Sequence, residues 1–123
     1  MENLNITPIK KAQQIFEEFR KNLNTNQEKA GAVQAFEFCY ELSWKFMKRV
    51  LEIRGLTVGS PKDTFRKAFE ENLITDPETW FEFQKMRNIV THTYNEQNLD
   101  LIVKSFDKFS LEMQQLVEQL ERP

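Results

Sequence analysis

The residues best suited to chemistry lie in one short stretch, Arg87-Asn88-Ile89-Val90-Thr91-His92-Thr93-Tyr94, which holds the only histidine of the chain. A guanidinium can grip a phosphate through two hydrogen bonds, and an imidazole can move a proton near neutral pH. Together they suit phosphoryl chemistry. On a helix advancing roughly 100° per residue from Arg87, Thr91 falls at about 40°, Asn88 at about 100° and His92 at about 140°. Met86, Ile89, Val90 and Phe83 collect on the opposite side, so the helix has a polar wedge and a core-like face. Tyr94 returns to within about 20° of Arg87, about 10 Å further along the axis. A lone histidine on such a helix is more often structural than catalytic. Its company, an arginine, an asparagine, a threonine and a tyrosine near one helix end, is what favours chemistry.

That helix needs a scaffold, and the composition says of what kind. With three Gly, four Pro and no period-2 run, the chain is expected to be all-α and, at 123 residues, one domain. Eleven Phe make its core bulky. Thr7-Pro8 reads as the N-cap and first residue of a helix, with Ile9, Ala12, Phe16, Phe19 and Leu23 as its seam, ending near Asn24. Asn22 to Gln27 reads as a loop.

A second helix is expected from about Glu28 to Arg54, apolar almost all round, either central in a bundle or covered outside by a second subunit. Its stripe Glu37, Glu41, Lys45, Lys48 has two readings: solvated i,i+4 ion pairs, or a face that turns Glu41 or Lys45 toward the Arg87/His92 wedge. Gly55 ends the helix as a C′ glycine. Ser60-Pro61-Lys62-Asp63 opens a third, with Phe65, Ala68, Phe69 and Leu73 on its buried face. Asp76-Pro77 opens the fourth, anchored by Trp80, Phe83, Met86, Ile89 and Val90. The last helix begins near Asn98, with Leu99, Ile102, Phe106, Phe109, Met113, Leu116 and Leu120 in alternating steps of three and four, a long antiparallel seam.

Several functions are disfavoured. A net charge of −2 counts against a general nucleic-acid binder, so any RNA contact would be local. Lys45, Lys48, Arg49 and Lys85 could supply that local charge, or be a solvated face. The single Cys39 excludes an internal disulfide and a cysteine-based metal site, and reads as a buried thiol. No His/carboxylate spacing resembles a ligand set, so no metal or cofactor is expected. Nothing resembles a signal peptide or a membrane span, and the expected location is the cytoplasm. A nucleotidyltransferase centre would need a Gly-Ser loop followed by closely spaced aspartates, and the chain has neither.

Arg87-x4-His92-x-Tyr94 resembles the Arg-x4-His-x-Tyr signature of HEPN domains, in particular HepT-like proteins paired with minimal nucleotidyltransferases. Val33 to Phe38, Glu41-Leu42-Ser43-Trp44-Lys45, Ser60 to Asp63, and Trp80 through Arg87-Asn88 to Tyr94 are similar in turn to the nucleotidyltransferase substrate-binding proteins. The likeness spans about residues 6–120. It implies an up-and-down antiparallel bundle of four to five helices, a homodimer or higher homo-oligomer, and a minimal nucleotidyltransferase partner. Two functions travel with it. One is a metal-independent endoribonuclease, the toxin of a toxin–antitoxin pair, silenced by AMPylation at the motif tyrosine, here Tyr94. The other is a non-catalytic subunit that binds substrate for the nucleotidyltransferase.

Under the first, His92 is general acid/base, Arg87 holds the phosphate and Asn88 orients either one. Glu41, Lys45, Lys48 and Lys85 are substrate-binding candidates, and Tyr94 is either the AMP acceptor or an ordinary boundary tyrosine. Metal-free cleavage needs a base, an acid and a cation. One chain has one imidazole, so a two-fold dimer supplying two copies of His92 and Arg87 is the expected active form. A third reading is a scaffolding bundle in which Arg87 and His92 make interface hydrogen bonds.

Overall fold

The computed structural model describes residues 4–92 and 95–122; the side chains of Thr91 and His92 are outside the description. The chain is an all-α, up-and-down bundle of α1 (Thr7–Phe19), α2 (Asn26–Ile53), α3 (Pro61–Glu70), α4 (Pro77–His92), α5 (Glu96–Val103) and α6 (Phe106–Glu121).

Local chemistry sets the boundaries. Thr25 caps α2 with a full capping box: its hydroxyl accepts the Glu28 N–H at 3.0 Å and the Glu28 carboxylate accepts the Thr25 N–H at 2.9 Å. Gly55, at φ 87°, turns the chain out of α2, and the Leu56 N–H closes back on the Leu51 carbonyl at 2.8 Å. Asn72 takes the same left-handed role after α3 at φ 63°. The Ser60 hydroxyl accepts the Asp63 N–H to start α3. Asp76 starts α4 by accepting from the Glu78 N–H and the Thr79 hydroxyl.

The long α2 runs through the centre and packs on every other helix. The core is built on rings. Phe109 of α6 meets Phe16 of α1 at 5.4 Å, Phe36 of α2 at 4.8 Å, and Trp80 and Phe83 of α4 at 6.0 and 5.0 Å. Most of these contacts are edge-on, the arrangement that ring quadrupoles favour. Phe65 of α3 joins Tyr40 and Trp80 to the same cluster.

Four expectations are corrected. The final helix is two, because the Ser105 N–H bonds the Ile102 carbonyl at 2.9 Å, a tighter i→i−3 step, and the Ser105 hydroxyl takes that same carbonyl at 2.6 Å. The bend interrupts the helix but keeps the seam in phase, so Leu99, Ile102, Phe106, Phe109, Met113 and Leu116 are all buried. Thr7 is inside α1 rather than its cap, and α1 stops at Phe19, short of Asn24. Phe19 and Phe69, placed in buried seams by spacing, are about half exposed at the helix ends, Phe19 with its ring against Gly31 of α2. The expectation for α2, central in a bundle or covered outside by a second subunit, is left standing: Phe38, 58% exposed, belongs to a face that is open in the single chain.

Candidate functional site

The site lies where α4 crosses α2. Trp80 and Phe83 drive one face of α4 into the core, which fixes its rotation. Arg87, four residues after Phe83, then sits at the edge of that face, turned toward α2. On α2 the buried line Phe36, Tyr40, Ser43 and Met47 does the same, leaving Glu37 and Glu41 at its border, one turn apart.

The two borders meet. Arg87 Nη2 lies 2.9 Å from Glu41 Oε1, and 35% and 29% of the two side chains are exposed. Glu41 is held from its own helix as well: the Trp44 indole N–H donates to Oε2 at 3.3 Å, and Lys45 Nζ is 3.8 Å from the same oxygen. Burial pushes the Glu37 carboxyl above its ordinary range, with the charge of Arg87 opposing the shift. Burial also raises the Tyr40 hydroxyl, Glu41 adding to the effect and Arg87 working against it. Arg87 therefore acts electrostatically on Glu37, Tyr40 and Glu41 together. Among the described residues, Tyr40 Oη, Ser43 Oγ and Gln84 Oε1 are buried without a hydrogen-bond partner.

Of the residues singled out by sequence, the structure brings Arg87, Glu41 and Lys45 together, so the stripe on α2 holds one i,i+4 ion pair and turns Glu41 to Arg87. Lys48 follows on α2, half-buried, while Lys85 and Asn88 are exposed on α4. His92 is the last residue of α4; its side chain, and Tyr94 altogether, lie outside the described residues. Two participants were named by the sequence reading without being assigned to the site. Glu37 was legible as an i,i+4 like-charge pair with Glu41, an unfavourable spacing that asks for a cation between them. Trp44 was legible as a donor three residues after a carboxylate. Among the described residues no three His, Cys, Asp or Glu side chains form a group able to hold a metal ion, and no helix is long and apolar enough to cross a membrane.

This arrangement holds a partly exposed cation among carboxylates, on a helix that ends in the only histidine. Known proteins share its frame. A Haemophilus influenzae protein named "Probable ribonuclease HepT" is 40% identical over 98 residues, covering 76% of this chain and 67% of its own. A Haemophilus influenzae structure, described as revealing the fold of a substrate binding domain of a nucleotidyltransferase, superposes with a TM-score of 0.86 at 31% identity, over 96% of this chain and all of its own. A crystal structure from Thermus thermophilus matches with a TM-score of 0.85 at 29% identity, over 93% of this chain and 99% of the other. The model of the family described as "Nucleotidyltransferase substrate binding protein like" matches residues 4–122, nearly the whole bundle and with it the α2–α4 crossing, so the chain belongs to that family.

Proposed function

We propose that the chain is the HEPN subunit of a two-component system with a minimal nucleotidyltransferase, and that it is a metal-independent endoribonuclease. The observation that carries this reading is the Arg87 guanidinium, partly open to solvent at the α2–α4 crossing and five residues before His92. The name of the 40% identical relative supports it. In this reading one His92 takes the proton of the ribose 2′-hydroxyl, whose oxygen attacks the adjacent phosphorus. Arg87 offsets the charge gathering on the phosphorane oxygens, and a second His92, from a two-fold copy, protonates the departing 5′-oxygen. The products are a 2′,3′-cyclic phosphate and a 5′-hydroxyl. Asn88, exposed one residue after Arg87, orients the phosphate or the imidazole. Lys45, Lys48 and Lys85 lend local charge.

The partner would silence the enzyme by transferring AMP to Tyr94, supplying the ATP and magnesium itself, in a cytoplasmic toxin–antitoxin pair. Cleavage of mixed RNA in EDTA, by protein made without any partner, tests the proposal. Wild type should cut, and His92→Ala of the same oligomeric mass should not. A folded, strictly monomeric variant that cuts at the wild-type rate would refute the shared dimeric site.

A second reading has its own support: a neighbouring structure is described as a substrate binding domain, and Glu41 neutralises the very cation that catalysis would use. A non-catalytic substrate-binding subunit predicts no cleavage by wild type. It predicts instead nucleotide affinity that appears only with the nucleotidyltransferase present and falls with Arg87→Ala.

A further inference from the structure

We propose that Glu41 is an internal stand-in for substrate: it occupies the Arg87 guanidinium in the free chain and must yield before a phosphodiester can be held there. The inference rests on the reading of Arg87 as the phosphate-holding group.

A carboxylate and a phosphate compete for the same planar donor edge, because both present oxygens spaced to meet it. Glu41 holds one nitrogen of that edge, Nη2, at 2.9 Å. Its hold is built, since the Trp44 indole N–H fixes the other carboxylate oxygen and aims the first at Arg87. The pair is also reachable, as neither side chain is fully buried and an anion can approach from solvent.

Exchange leaves no group stranded. When a phosphate takes Arg87, Glu41 keeps the Trp44 N–H and the exposed Lys45 ammonium, already 3.8 Å away, as partners. Glu37 stays near Arg87 and continues to temper its charge. A single phosphate gains little from displacing one anion by another. A polyanion, engaging Lys48, Lys85 and further cations at once, gains enough. The device therefore favours polynucleotides over mononucleotides as ligands.

The test is binding, by fluorescence anisotropy, of a mixed-sequence 2′-O-methyl oligoribonucleotide, which lacks the attacking hydroxyl, to the full chain in its native assembly. Glu41→Gln should tighten binding by about two- to fivefold, the worth of one partly exposed ion pair. The gain should vanish in the double variant Glu41→Gln/Arg87→Ala. Trp44→Phe, which keeps a ring but drops the N–H, should tighten binding by about twofold, and it decides the matter if Glu41→Gln does not fold. Unchanged or weaker binding in Glu41→Gln and Trp44→Phe, with affinity still falling in Arg87→Ala, would overturn the stand-in while leaving Arg87 its phosphate. Binding that is absent, or indifferent to Arg87, would remove the substrate reading and the stand-in together.

Discussion

Two regions packed on the same central helix follow opposite rules. On the buried line of α2, Phe36 enters a cluster of rings with Phe16, Phe106, Phe109, Trp80 and Phe83, fully buried and apolar. Over the next two turns, at the border of that line, Glu37 and Glu41 face Arg87 beside the buried hydroxyls of Tyr40 and Ser43. The ring cluster removes apolar area from water and asks for no particular partner atom. The crossing holds charge in a partly dry place and keeps polar atoms without partners among the described residues, which is costly for stability. The rings thus secure the fold, and the stability they provide allows a polar crossing that costs stability.

The contrast can be broken first at its strongest point. Phe109→Ala, removing the ring that α1, α2 and α4 share, should cost about 3–5 kcal/mol in denaturant unfolding. A loss under about 1 kcal/mol would mean that the cluster is not the stabilising half. Arg87→Ala should cost at most about 1 kcal/mol, because the pair it breaks is partly hydrated, while lowering RNA or nucleotide affinity far more than Phe109→Leu does. Equal stability losses from the two sites would erase the distinction.

Tyr40→Phe sharpens it in the other direction. Deleting a buried hydroxyl that lacks a partner should leave stability unchanged or raise it by roughly 0.5–1 kcal/mol. A clear loss would reveal a hydrogen bond made in the working assembly.

The smallest effect concerns pH. Burial holds the Glu37 pKa in the fold above its unfolded value, so the folded chain keeps that proton longer. The contribution of Glu37 is then full below the unfolded carboxylate range and is lost as pH rises through the folded pKa. Glu37→Gln should raise the Tm relative to wild type near neutral pH and converge with it in acid; a constant offset at all pH values would assign the effect to packing. Cys39 gives the matching control within the apolar half. Burial pushes its thiol up to about 12, and the S–H donates to the Ala12 carbonyl at 3.2 Å. It should react with thiol reagents only at the rate of global unfolding.

Much of this was legible in the chain before any fold was known. Ser60-Pro61, Asp76-Pro77 and Gly55 mark helix ends through chemistry that acts over four residues, and the 3.6-residue period of Leu99 to Leu116 marks a buried seam. The same period could not say how much of each ring the neighbouring helices cover. Phe19 and Phe69 keep the phase of buried residues yet stand half in water. Nor could it foresee Ser105, whose hydroxyl takes a carbonyl and bends the helix without shifting its face.

For the site the division is similar. Local spacing determined that Arg87 and His92 share one helix and that Glu41 and Lys45 share another, because residues a few positions apart lie on fixed bearings of a helix. Which side chain of α2 meets which of α4 depends on how deeply two helices sink their rings into a common core and at what rotation they come to rest. That is a property of packing over the whole chain, and it brought Glu41 to Arg87 rather than to solvent.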